Sequence, residues 1–95
     1  MNDVAVVHRP EQRRYKLLVA GKRAGHIDYR PKGDALAFVH TEVDTHLERK
    51  GLGTSLVAGA LADVRARGLR VVPLCPFVAA YFAQHPEVAD LDARG

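Results

Sequence analysis

Residues 48–56 read Glu-Arg-Lys-Gly-Leu-Gly-Thr-Ser-Leu, which sets Gly51 and Gly53 directly ahead of an apolar stretch with helical period. Glycine leaves the backbone uncovered, so a ligand can approach it closely. The first N–H groups of a helix have no intrahelical partner, and the helix dipole adds partial positive charge there. Thr54 and Ser55 supply hydroxyls, and Arg49 and Lys50 supply charge. Together these suit an anion, and a pyrophosphate in particular. The pattern is not a P-loop, which needs G-x-x-x-x-G-K-[ST]. It is not a dinucleotide fingerprint either, because Leu56 stands where the third glycine belongs. Taken alone, the two-glycine turn is equally a plain helix start.

The second candidate for chemistry is Cys75, the only cysteine. It lies between an apolar strand pattern and Pro76, a residue suited to the first helical position. That places Cys75 near a helix N-cap, where dipole and amides favour a thiolate. An inert buried cysteine is the competing reading. His40, on the strand expected next to that of Cys75, could pair with it as a base. The remaining histidines, His8, His26, His46 and His85, read as surface residues. The histidines are scattered and the cysteine has no partner, so no metal motif is present.

The elements that must position these groups follow from periodicity. Runs at 4–8, 13–20, 24–30 and 35–43 read as strands with short turns between them, the turns at 21–22 and 31–34 containing glycine, an antiparallel meander. Within 24–30, Ile27 and Tyr29 point one way and His26 and Asp28 the other. Strict alternation in 35–43 puts Leu36, Phe38, His40 and Glu42 on one face and Ala37, Val39, Thr41 and Val43 on the other. From Leu52 the period changes: Leu52, Leu56, Ala60 and Val64 recur every four residues, an amphipathic helix of about four turns. Gly68 is placed as its C-terminal cap. Residues 69–75 form a dense apolar strand, and 76–85 a second helix with Phe77, Val78, Tyr81 and Phe82 as a core stripe and Pro86 beyond its end. The tail is expected to pack Val88 and Leu91 and then fray. The order β-β-β-β-α-β-α contains one right-handed crossover, so the fifth strand should lie parallel to the fourth. Pro73 lacks an N–H and cannot donate in the ladder, which marks an edge or a place where the sheet opens.

Length and composition bound the rest. Ninety-five residues with 47% hydrophobic and 26% charged content describe one small globular domain over residues 1–95. No apolar run is long enough to span a bilayer, and the N-terminus lacks the apolar core of a signal peptide. A single cysteine fits a reducing, cytoplasmic setting, and a monomer is expected. Net charge is +3, but residues 1–32 hold eight Lys/Arg against three acids. Such a face could meet nucleic acid or a polyanionic cofactor. The plainer reading is a solvated outer surface, and the lack of an accompanying aromatic platform counts against single-stranded nucleic acid.

The chain resembles the Gcn5-related N-acetyltransferases, the GNAT superfamily, and within it the small single-domain members. The resemblance rests on "HTEV" (40–43), "GLGTSLV" (51–57) and "VVPLCPFVAAYFAQHPEV" (71–88) and covers nearly the whole chain. Glu48 and Arg49 depart from the family's acyl-CoA loop, whose glycines Gly51 and Gly53 match. The large N-terminal helices of ordinary members are missing. The resemblance implies a compact α/β (α+β) fold and acetyl-CoA as cosubstrate. It implies CoA contacts from Arg49 through Ser55, Leu52 included, and a pantetheine arm held between splayed fourth and fifth strands. It further implies that amides of Thr41, Glu42 and Val43 polarise the acetyl carbonyl, that Cys75 has a site role, and that Tyr81 stands near a thiolate-protonating tyrosine. The expected activity is acetyl transfer to an amine of unknown identity. A module that binds CoA or a protein partner without turnover is the alternative.

Overall fold

The computed structural model describes residues 3–44 and 51–94. Its order is β1 (Val4–Arg9), a 3-10 turn (Pro10–Gln12), β2 (Arg14–Val19), β3 (Lys22–Lys32), β4 (Ala35–Val43), α1 (Leu52–Ala66), β5 (Arg70–Pro73), α2 (Pro76–Gln84) and a second 3-10 turn (Pro86–Leu91). The five strands form one sheet in sequence order. β1 to β4 are antiparallel, and β5 joins β4 in parallel, pairing Ala35 with Arg70 through Phe38 with Pro73. The mixed α/β meander with a parallel fifth strand is therefore the observed architecture. Arg13, expected to open β2, instead takes a left-handed conformation (φ 52°) that closes the first 3-10 turn.

The helices α1 and α2 and the C-terminal turn pack against one another on one face of the sheet. Their apolar residues Leu56, Leu61, Val64, Val78 and Phe82 share one core with Tyr15, Leu17, Ile27, Tyr29 and Phe38 of the strands. The connection from β1 to β2 is only the 3-10 turn and Arg13, so no described helix covers the opposite face. The C-terminal tail packs as expected, with Leu91 buried and Val88 partly so. It does not fray there. Asp92 bridges to Val71 on the outer side of β5, and the Ala93 amide donates to the Val71 carbonyl at 2.7 Å.

Two bulges break the simple alternation. One inserts Ala24 between Leu17–Gly25 and Leu18–Arg23, and the other inserts Val39 between Asp28–His40 and Tyr29–Phe38. A bulge passes two residues of one strand opposite one of its partner, so side chains beyond it change faces. After Val39, Thr41 continues the helix-covered face of Phe38, paired with the core residue Ile27, while His40 and Glu42 face the other side, paired with Asp28 and His26.

Two histidines expected at the surface lie inside. His8 stacks on Tyr15 (4.5 Å between ring centroids), and its Nε2 is 2.6 Å from the Tyr29 hydroxyl. Its Nδ1 is buried without a hydrogen bond, 3.6 Å from Asp63 of α1. Asp63 also accepts from Tyr15 (2.6 Å) and from Arg67 (2.6 Å). Burial pushes Asp63 up, but those donors outweigh it and hold the carboxyl below its usual range. Burial, followed by Arg67, holds His8 below the ordinary imidazole value, so the neutral ring is the folded form. His26 is 6% exposed, bonded to Arg23 and 3.5 Å from Asp28, and burial followed by Arg14 lowers its pKa too.

Candidate active site

The start of α1 forms one wall. Gly51 is its N-cap with φ 82°, a left-handed value open to glycine at little cost. Its carbonyl accepts the Ser55 amide at 2.8 Å, while Gly53 and Thr54 occupy first-turn positions, whose N–H groups have no intrahelical acceptor. Thr54 and Ser55 are exposed, so the turn is open to a ligand. Leu52 is buried in the core, which leaves only its backbone to serve a ligand. Arg49 and Lys50 lie outside the described residues, as do Glu48 and His46.

Gly53 has a role that its backbone freedom does not express. A Cβ there would sit 2.6 Å from Cζ of Phe77, so the ring rests on the bare glycine. Phe77 belongs to the expected core stripe, yet it is 44% exposed, beside Leu74 at 63%. Val78, Tyr81 and Phe82 are buried as expected.

The gap between β4 and β5 forms the other wall. Their pairing ends at Phe38–Pro73, and the Leu74 and Cys75 amides both donate to the Phe38 carbonyl (3.1 and 3.0 Å) before the chain turns away into α2. β4 runs on to Val43, so the two strands part at this point. Cys75 is the N-cap of α2 with Pro76 at the first helical position. Its sulfur is buried and lies 3.3 Å from Thr41 Oγ1. Burial pushes the thiol up, but the Thr41 hydroxyl and the amides of Val78, Phe77 and Thr41 outweigh it, so the Cys75 pKa falls below its ordinary value. While protonated, the thiol donates to Thr41 Oγ1. Once the proton leaves, the hydroxyl can turn and donate to sulfur.

His40 is not the partner of Cys75. The Val39 bulge turns it to the other face, where it is exposed with its ring 6.1 Å from that of His26. Glu42 shares that face, 3.3 Å from Arg23, so only its backbone can serve the gap, as can that of Val43. Thr41 takes the position beside sulfur. The strand pattern contained no sign of this, because a one-residue bulge leaves no mark on an alternating run. Tyr81 stacks on His85 (3.8 Å) and, with Thr54 and Phe77, borders a hollow of about 190 Å³ next to the α1 turn. Burial, followed by Glu87, pushes its phenol up, so it stays protonated at neutral pH. His85, expected at the surface, is half-buried with Nδ1 2.9 Å from the Tyr81 carbonyl.

Residues 14–91 match the family model described as GCN5-related N-acetyl-transferase. Among solved structures, a GCN5-like protein from Staphylococcus aureus, named as a candidate N-acetyltransferase, superposes with TM-score 0.72 at 17% identity over 97% of this chain and 90% of that one. The ribosomal-protein-S18-alanine N-acetyltransferase of Escherichia coli gives TM-score 0.60 at 20% identity, covering 75% of this chain and 49% of its own. The PaiA N-acetyltransferase of Thermoplasma acidophilum, solved with coenzyme A, gives 0.54 at 10%, covering 78% and 48%. This chain thus spans about half the length of the latter two. No curated protein matches the chain significantly.

Proposed function

Since the chain belongs to the GCN5-related N-acetyltransferases, we propose that it binds acetyl-CoA and transfers the acetyl group to an amine, as one domain over residues 1–95. One observation carries this: where β4 and β5 part, the buried Cys75 sulfur caps α2 and lies 3.3 Å from Thr41 Oγ1, and the Thr41 hydroxyl with the amides of Val78, Phe77 and Thr41 lowers its pKa against burial. Hydrogen-bonding groups gathered about a buried point are what developing negative charge on sulfur or a carbonyl oxygen requires.

Acetyl-CoA supplies the thioester. The chain supplies the rest. The Gly51–Ser55 turn fits a pyrophosphate through its open first-turn amides, Leu52 to Thr54, with Arg49 and Lys50 adding charge. Leu52 contributes backbone alone. Phe77 swings off Gly53 to admit the ligand. The backbone of Thr41 to Val43 polarises the carbonyl. Cys75, through Thr41, holds or relays a proton at the leaving sulfur, and Tyr81 is a second donor near the same hollow. His40 is exposed on the helix-free face, and in this reading it takes the proton of an amine that approaches from there, through water. Because His40 is turned away from Cys75, a Cys75-acetyl route would rest on the lowered thiol pKa alone, without a base beside it, and direct attack by the amine is preferred.

Calorimetry with acetyl-CoA, followed by thiol release in the presence of a panel of amines, tests the proposal. Binding with amine-dependent thiol release supports it. Binding without turnover on any amine supports a CoA-holding module, and no binding overturns the proposal. Intact-protein mass after mixing with acetyl-CoA alone separates the routes: an acetyl adduct absent in Cys75→Ala would replace direct attack by the covalent one.

A further inference from the structure

The face of the sheet without helices carries an uneven charge. Register places Arg9, Arg14, Asp28 and His40 in one cross-strand row and Val7, Lys16, His26 and Glu42 in the next. Arg23 pairs with Leu18 and Arg30 with Ala37 on the same side, and Lys32 follows Arg30 by one alternation. The strands β1 to β4 thus project Arg9, Arg14, Lys16, Arg23, Arg30 and Lys32 from one face, against Asp28 and Glu42. Asp28 is bonded by Arg14 at 2.7 Å and Glu42 lies 3.3 Å from Arg23. Four positive charges remain in excess, and the basic bias of residues 1–32 is gathered here.

This face leads to the candidate site. Pairing of β4 with β5 stops at Phe38–Pro73, and His40 lies just beyond on this side. The other side of the gap is taken by α1 and α2. A second reactant therefore approaches across the basic face. Five strands about 4.8 Å apart span about 19 Å, the length of roughly six extended residues.

We propose that the helix-free face is a docking surface for an acidic polypeptide segment, which brings the acceptor amine to the gap between β4 and β5. This rests on the acetyltransferase reading above and specifies its acceptor: an amine flanked by Asp and Glu. A protein segment is favoured over nucleic acid because the sheet's Tyr15, Tyr29 and Phe38 all point into the core, leaving no Tyr or Phe ring among the described residues of this face to form a stacking platform for bases.

Labelled peptides test this, each with one lysine flanked by glutamates, by serines or by arginines, with anisotropy and acetylation read in parallel. The glutamate peptide should bind at least about tenfold more tightly than the serine peptide at low salt, and the gap should shrink as salt screens it. The double variant Lys16→Glu/Arg30→Glu should lose the preference while binding acetyl-CoA like the wild type, which also shows that it folds. Flank-indifferent binding by a wild type that binds acetyl-CoA overturns the proposal and leaves the acetyltransferase reading intact. A failure to bind acetyl-CoA strikes that reading first. A single-stranded or duplex oligonucleotide bound more tightly than the glutamate peptide, through Lys16 and Arg30, also overturns it and assigns the face to nucleic acid.

Discussion

Thr41→Val removes one hydroxyl and keeps the shape of the side chain. In the folded protein that hydroxyl is 3.3 Å from the Cys75 sulfur, and it is the largest of the contacts that lower the thiol pKa. A hydrogen bond to a charged group contributes about 1.5–3 kcal/mol. The bond to sulfur is long, and the amides of Phe77, Val78 and Thr41 remain in the variant, so the low end applies. At about 1.4 kcal/mol per pH unit, the midpoint for thiolate formation should rise by about one unit. The assay is the rate of iodoacetamide alkylation against pH, followed by intact mass. The wild type should titrate below an ordinary cysteine, Thr41→Val about a unit higher, and Thr41→Ser near the wild type. His40→Ala should leave the midpoint in place, because His40 faces the other side of the sheet. A midpoint that ignores Thr41→Val, or one that moves with His40→Ala, refutes the reasoning.

Gly53→Val should lower acetyl-CoA affinity more than about tenfold by calorimetry, because the new side chain covers the turn. Its melting temperature should change little, since the clashing atom is the tip of the half-exposed Phe77 ring. Gly59→Ala should cost about 1–3 kcal/mol in denaturant unfolding, because its Cβ would lie 2.5–2.6 Å from the branched side chain of Val6 on β1; the added change Val6→Ala should recover part of the loss. The folded pKa values of His8 and His26 lie below the 6.5 of the free ring, so the unfolded chain takes up the protons first as pH falls. Stability is therefore full above about pH 6.5 and declines below it, and His8→Phe should flatten that decline in urea titrations. An unchanged slope in His8→Phe would show that the ring is not held neutral.

Residues whose environment is local were legible in the sequence. The four-residue recurrence from Leu52 and the proline at 76 placed both helices, and the short turns gave the meander. The Gly51–Gly53 turn needed nothing beyond its neighbours, and Cys75 at an N-cap needed only Pro76. What failed depended on distant contacts. Val39 looks like any strand valine, but its insertion opposite β3 reverses every side chain after it and exchanges His40 for Thr41 beside Cys75. His8 looks like a polar strand end. It becomes an interior residue only because Tyr15, Tyr29 and Asp63 arrive from β2, β3 and α1. Phe77 belongs to the apolar stripe of α2 by spacing, yet its ring rests on the small surface of Gly53, at the mouth of the candidate site.

The segment after α2 has a consequence for solubility. β5 is four residues long, and Asp92 and Ala93 lie along its outer side as a short parallel rung, with Arg70 bonded to the Asp92 carbonyl at 2.8 Å and Arg65 clamped on Asp90 at 2.8 Å. An unguarded strand edge invites another chain to add to it. Here the edge belongs to a strand that borders the candidate site. The tail therefore acts as a guard rail: it occupies the hydrogen-bonding positions through which two molecules would zip together, and it does so without adding a sixth full strand.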